Sequence, residues 1–408
     1  MATVLEPERH LDVIEEAAVV VCGGGPGGVA AAVSAAREGA DVLLVERYGY
    51  LGGLATGGNV IGLPPYEEGG DQVIQGLAHE FRATLEAQGD ARRPADAWRA
   101  GVCEFDPEAW KTLSLKLCRA AGVRFLFHSW AARALASEGS IDSIAIESKS
   151  GRLAVRGRVF VDGTGDGDIL ASAGAPFEKS DHRIGVVPRI GAVDFARFRA
   201  WRRDHEEDWG AICDEMRERF GQVWVGNHSY RDDVTWFNNG IPGDALDVRD
   251  LTRIEVQLRE QIAEVCELYR RRVPGFENSF LLDTAPQIGT RESRRINGLY
   301  RLTLADLTGG SFPDSVGLGN RYDDQGHVWQ FPYRALVSAG VENALATGRC
   351  IATTHEAHEF TREIHNCLTV GQAAGVAASL AAREGVAAAE VDIPALQARL
   401  EAQGVRLA

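Results

Sequence analysis

An α/β fold with a parallel sheet, into which a mixed α+β segment is inserted, follows from three observations on the chain. An apolar run at 19–22, an Ala-rich helical stretch at 26–37 and a second apolar run at 41–45 have the order strand, helix, strand. A second strand-to-glycine element, 155–162 leading into Gly163-Thr-Gly-Asp-Gly-Asp168, reads as a strand that returns to the first sheet. Between about 177 and 332 the composition changes, with five of the eight tryptophans (Trp201, Trp209, Trp224, Trp236, Trp329) and charged helical stretches near 194–220 and 247–272, before 348–375 returns to the small-residue style of the N-terminus. The predicted division is a first sheet domain over 1–175, with a cap element near 60–105; a substrate or cap domain over 176–335; a return segment over 336–385; and a C-terminal helix over 386–408.

The first turn is Gly23-x-Gly25-x-x-Gly28, placed directly between strand and helix. Gly23 permits the tight turn, Gly25 lets backbone approach a pyrophosphate, and Gly28 lets the helix pack close to the strand. Pro26 suits the first helical turn because it has no N–H to lose. The helix start aims free N–H groups and its dipole at an anion. Glu46 ends the second strand 18 residues beyond Gly28, near the spacing of an acid that grips a ribose hydroxyl. A carboxylate there repels a 2′-phosphate, so FAD or NAD is expected over NADP.

Residues 48–59 form a glycine-dense loop that serves either as a linker or as bare backbone against a ligand. Apolar residues recur at helical spacing over 72–88 and 106–121, where Asp106-Pro107 gives an N-cap and a proline at the first helical position. Two β-rich runs follow at 123–127 and 141–146.

Whole-chain properties exclude several classes. A net charge of −15 opposes a nucleic-acid partner. No apolar run approaches the ~20 residues of a membrane span, and residues 1–10 lack a basic region followed by an apolar one, so a cytoplasmic location is expected. The seven cysteines are scattered with no C-x-x-C pair, which fits reduced thiols and argues against a redox disulfide or a zinc site. His355-Glu-Ala-His358 is not H-E-x-x-H, so no metal is expected.

Three separated motifs together resemble one family: Gly23 to Gly28 with Glu46 and Leu51-Gly-Gly53; Val161-Asp-Gly-Thr-Gly-Asp-Gly-Asp168; and Gly348-Arg-Cys-Ile351 with His355-Glu-Ala-His358, Cys367 and Gly371-Gln-Ala-Ala-Gly375. Thr284-Ala-Pro-Gln-Ile-Gly-Thr-Arg-Glu-Ser-Arg-Arg-Ile296 and Pro332-Tyr-Arg-Ala-Leu336 match as well. The chain from about 17 to 385 looks like the FAD-dependent oxidoreductases of the glutathione-reductase-like two-dinucleotide-binding superfamily. That resemblance implies a Rossmann-like domain with non-covalent FAD. In it Gly23, Gly25, Pro26 and Gly28 hold the pyrophosphate, Glu46 and Arg47 lie at the ribose, and Gly53, Leu54 and Thr56 lie beside the flavin. Asp162, Gly163 and Gly165 line the adenosine side, Gly348 and Arg349 make the late contact, and Leu368 to Gly371 start a helix aimed at the flavin. Arg349 stands where many relatives of the wider superfamily carry aspartate. The segment Arg362-Glu-Ile-His-Asn-Cys367 departs from an Arg-Val-Met-Pro-like pattern through the polar Glu363 and His365.

With FAD as the electron carrier, the protein must position a substrate and manage one proton. His365, with Arg362 and His355, forms the candidate catalytic set, because imidazole titrates near neutrality. For His365 the competing reading is a polar loop anchor; His355 and His358 also read as structural. Arg291, Arg294 and Arg295 around Glu292 form either a fork for a substrate carboxylate or an ion-pair network. Tyr230, Tyr322, Tyr333, the tryptophans and His327 are candidates to roof a pocket or to fill a core. There is no W-x-W-x-I-P of a halogenase, no late Gly-Asp pair of an aromatic hydroxylase, and no second G-x-G-x-x-G for a nicotinamide nucleotide. The expected activity is therefore a dehydrogenase or oxidase acting on a small alcohol, amine or activated C–C bond. A C=C reductase and a non-catalytic flavin-binding regulatory protein are the alternatives. The electron acceptor (oxygen or another carrier) and a homo-oligomeric state stay open.

Overall fold

A computed structural model of the chain describes residues 3–6, 8–93, 101–221, 230–321 and 327–408, and the backbone of 224–225. The side chain of Trp224 and all of Tyr322 lie outside the described residues.

The strand Val13–Cys22 sits inside a seven-stranded sheet, parallel to Val42–Val45 on one side and to Gly151–Asp162 on the other. Val42-Leu-Leu-Val45 is buried at every position, as a parallel strand covered on both faces must be. Arg124–Leu126 extends the sheet beyond it in parallel. The 12-residue strand Gly151–Asp162 has two sets of partners. Its first half pairs antiparallel with Ser140–Ser148, and Phe160 to Asp162 pair in parallel with Ala344–Ala346. The predicted return of 155–162 to the first sheet is thus realised along its whole length. Trp130–Ser137, which pairs with Ser140–Ser148, was absent from the sequence reading, because its Ala-rich pattern carries no strand preference.

The helix Pro26–Arg37 lies against the long helix Ile364–Glu384, which is buried from Ile364 to Ala382. Their closeness depends on glycine. A Cβ on Gly371 would stand 2.3 Å from the Gly27 carbonyl oxygen, and one on Gly375 2.2 Å from that of Ala31. The helices Gly76–Gln88 and Pro107–Ala121 pack onto the same core, with Phe81 and Trp110 stacked at 4.8 Å.

A second hydrophobic core runs from Ile184 to Ala285 and is centred on Phe198, Phe237, Ile254, Leu258 and Phe276. It is built from the helices Phe195–Asp204, Glu206–Phe220 and Val248–Arg272 and the sheet containing Pro188–Gly191 and Phe280–Thr284. From Ile296 onward the apolar residues join the first core instead. The antiparallel pair Ser315–Asn320 and Val328–Pro332 does so because it lies on the long helix, where Gly317 leaves room for Thr369. Trp329 and Tyr333 are therefore core side chains, the latter donating its hydroxyl to the Ala388 carbonyl at 2.7 Å. The chain ends in the helix Ile393–Ala402. Among the described residues no helix is long and apolar enough to cross a membrane.

Candidate cofactor and active site

Each glycine of the first turn has a separate structural duty. Gly23 has φ +97°, and a Cβ on it would lie 2.4 Å from the Gly163 carbonyl oxygen; on Gly28 it would meet the Gly23 oxygen at 1.8 Å. Those two positions close the turn. Around Gly25 the space is open, the nearest neighbour of an added Cβ being Gly53 Cα at 4.0 Å, so this backbone faces a cavity.

Glu46 holds the turn from the next strand. Its carboxylate accepts from the Gly24 N–H at 2.6 Å and the Tyr48 N–H at 2.8 Å. Burial raises its pKa, and the two N–H bonds pull the other way. Arg47 lies over the rings of Tyr48 and Trp130, at 4.9 and 5.3 Å from their centroids. The glycine-dense loop is not a linker. Gly52 N–H donates to the Gly24 carbonyl at 2.7 Å, and Gly53, Leu54, Ala55 and Gly58 line the cavity.

That cavity measures about 340 Å³. Its pyrophosphate-turn region is Gly23, Gly25, Pro26, Gly27, Gly163, Gly165, Gly348 and Arg349. Glu46, Arg47, Ser129, Trp130 and Asp168 form one end. The strand Thr235–Asn238, residues 287–291 and the segment before the long helix line the cavity as well, through Trp236, Asn238, Gln287, Arg291, Arg362 and Glu363. Bare backbone at Gly25, a helix N-terminus beside it and a buried carboxylate one strand away suit a diphosphate joined to a ribose, so the residues present fit FAD.

Several residues named from the sequence shape the site without lining it. Gly28 packs the helix. Thr56 donates to the Leu51 carbonyl at 2.9 Å. Asp162 is buried and accepts from Ile169 N–H at 3.0 Å, Leu170 N–H at 2.9 Å and the Thr164 hydroxyl at 2.6 Å, fixing the acidic loop so that Gly163 and Gly165 face the cavity. Leu368 and Gly371 lie within the buried helix–helix contact. Arg349, which does line the cavity, donates to Asp166 at 3.0 Å and Thr290 Oγ1 at 3.2 Å, a pairing that holds the late segment to the acidic loop.

The candidate catalytic set is divided by the fold. Arg362 lines the cavity and donates to Glu359 at 3.0 Å. His365 does not line it. Three residues beyond Arg362, it points into the core, donates to the Asn320 carbonyl at 3.0 Å and packs 5.7 Å from the Tyr66 ring. Burial pushes its pKa down to about 3, so the ring is neutral. His355 also stands off the cavity; half exposed, it pairs with the buried Glu292 at 2.8 Å. Neither histidine is among the residues that line the cavity. His358, held neutral by burial, donates to the Arg291 carbonyl at 3.1 Å.

The arginine cluster divides as well. Arg295 is buried against Glu292 and donates to Ser180 at 3.0 Å, and Arg294 pairs with Asp168 at 2.8 Å. Arg291 alone of the three faces the cavity, donating to Asn238 Oδ1 at 2.8 Å. The tryptophans were candidates to roof a pocket, and Trp130 and Trp236 do line the cavity; Asn238 was not assigned from the sequence, since the strand Thr235–Asn238 that carries it meets the cavity only through the fold. Gln287 and Thr290 fall in a stretch that carried the family resemblance, which was the available signal.

Residues 18–400 match the family described as FAD dependent oxidoreductase. Among solved structures, p-nitrophenol 4-monooxygenase from Pseudomonas putida is 12% identical, with a TM-score of 0.53 over 95% of this chain and 84% of that one. The chondrochloren halogenase of a myxobacterium is also 12% identical, with a TM-score of 0.50 over 95% of this chain and 78% of that one. At such identity these likenesses are ones of fold. No curated protein matches. With the family match covering nearly the whole chain and a cavity that suits the cofactor, the protein belongs to the FAD-dependent oxidoreductase family and uses FAD.

Proposed function

We propose that this FAD-dependent oxidoreductase is a dehydrogenase or oxidase acting on a small organic molecule, an alcohol, an amine or an activated C–C bond. The observation that carries the proposal is Glu363, a titratable carboxyl on the cavity wall beside the Arg362 guanidinium. Glu363 is the N-cap residue of the long helix, but its carboxyl makes no cap bond and is left to face the cavity. Burial raises its pKa, which brings a carboxyl towards the range in which it exchanges a proton near neutral pH. Arg362, tied to Glu359, supplies the neighbouring positive charge and fixed orientation.

When bound, FAD supplies a two-electron acceptor for a substrate C–H bond. The Gly23 to Gly27 backbone holds the diphosphate, Glu46 receives ribose hydroxyls, and Gly53 to Ala55 give bare backbone beside the ring system. Glu363 receives the substrate proton. The segment from about 184 to 291, which contributes Gly185, Val187, Trp236 and Asn238 to the wall, serves as the substrate cap and excludes water from that end. A C=C reductase is the second reading, favoured by the same raised pKa, because a protonated Glu363 is placed to donate.

Anaerobic mixing of the purified flavoprotein with alcohols and amines, and separately with NADH and NADPH, tests the proposal. Bleaching of the flavin by an organic donor supports it, and subsequent exposure to oxygen separates oxidase from dehydrogenase. Reduction by a nicotinamide nucleotide alone contradicts it.

A further inference from the structure

The cavity holds an excess of guanidinium at its substrate end. Arg291 and Arg362 both line it, and each lies within the other's field: the Arg362 charge adds to burial in lowering the Arg291 pKa. Two desolvated cations facing one space are costly unless an anion completes the set. Glu359 and Glu363 supply part of it, and both favour the charged form of Arg362. Glu359 is committed to Arg362 at 3.0 Å and to His182 at 2.7 Å. Burial raises the Glu363 pKa, which weakens its share of that compensation. Arg183, bound to the Gly240 carbonyl, adds further positive charge behind Arg291.

Both guanidiniums also have donors in hand. Arg291 spends one N–H on Asn238 Oδ1, and Arg362 Nε is buried with no acceptor. Neither is loosely held. The Arg291 backbone is anchored by His358, and Arg362 sits at the start of the buried long helix. A planar fork with unspent donors matches the two-oxygen edge of a carboxylate.

We infer that the substrate is a carboxylate, whose acid group is clamped between Arg291 and Arg362 while its reacting carbon faces the flavin side of the cavity. This rests on the oxidoreductase reading above and names its substrate class. Arg291 is the specificity residue, the one member of the Arg291–Arg295 run with cavity access.

The test is equilibrium binding to the FAD-loaded protein, followed through the visible absorption of the bound flavin. The probes are acetate, benzoate and phenylacetate, each against its neutral amide, with inorganic phosphate as a further anion. The expected result is saturable perturbation by a carboxylate at least about 10-fold tighter than by its amide and by phosphate. Arg291→Met is expected to erase that preference while amide binding persists, and Arg291→Lys to restore part of it. Equal affinity for acid and amide, tighter binding of phosphate, no perturbation by any of the three acids, or an unchanged preference in Arg291→Met overturns the inference. Because binding is read without turnover, the two proposals fail separately. Carboxylates that bind while no organic donor bleaches the flavin leave the clamp standing and remove the oxidase reading. A neutral donor that bleaches it without any acid preference does the reverse.

Discussion

Glu104 shows how far a single buried side chain sets the protein's behaviour. Fully buried, it accepts one bond from the Trp236 indole at 3.3 Å, and its second carboxylate oxygen has no partner. Burial pushes its pKa up from the ordinary 4.5 to about 8. A raised folded pKa means that its stabilising contribution is complete below 4.5 and is lost as pH rises to about 8, at up to about 1.4 kcal/mol per pH unit. Glu104→Gln is therefore expected to be more stable than the native chain at pH 9, with the advantage gone at pH 4; denaturant unfolding at the two values checks it. His365 acts in the opposite sense. Its folded pKa of about 3 lies below 6.5, so its contribution is present above 6.5 and is lost as pH falls towards 3. Glu363→Gln is expected to remove an ionisation from the pH–rate profile, whereas His365→Gln lowers stability by about 1–3 kcal/mol and leaves that ionisation in place. A profile that follows His365 would overturn the assignment of the proton to Glu363. The sequence placed Arg362, Glu363 and His365 in one segment, yet it carried no sign of which side chains turn towards the cavity. The start of the long helix sends Glu363 and His365 to opposite sides.

At the scale of elements, the site is framed by two helices that touch through glycine. Gly371 and Gly375 face Gly27 and Ala31. Gly375→Ala places a Cβ against fixed backbone, so the helices must separate, at about 1–3 kcal/mol. Since Pro26–Arg37 carries the pyrophosphate turn, the same shift is expected to weaken FAD retention; a thermal melt and a flavin-to-protein ratio on the purified variant check both. Native stability and full flavin content in that variant would contradict the packing account. These helices were legible because the motif Gly371-Gln-Ala-Ala-Gly375 and the Ala-rich stretch after Gly28 show their small-residue faces in sequence. Trp130–Ser137 was not. Its strand pattern depends on pairing with Ser140–Ser148, and with it Trp130 reaches the cavity and the underside of Arg47. Propensity alone does not reveal a strand whose reason is its neighbour.

The described residues form two hydrophobic cores. The first core was readable from the alternation of apolar runs and glycine turns, and the FAD end of the cavity with it. The second was visible as a change of composition and as charged helical stretches near 194–220 and 247–272, where the structure has helices. The pair of strands from Ser315 to Pro332 shared that aromatic-rich composition but belongs to the first core, because the surface of the long helix takes it. Trp236 and Asn238 line the same cavity as Arg362 from more than 120 positions away in the chain, and local sequence holds no record of that approach. The central claim is that one continuous cavity takes FAD from Glu46 to Glu363, with the reacting end between the cores. A crystal structure of the FAD complex tests it most directly. The account predicts adenosine between Glu46 and Trp130, the diphosphate on the Gly23 to Gly27 backbone, and the ring system beside Gly53, Leu54 and Glu363; FAD bound in the reverse direction, or with its ring system away from Arg362 and Glu363, would contradict it.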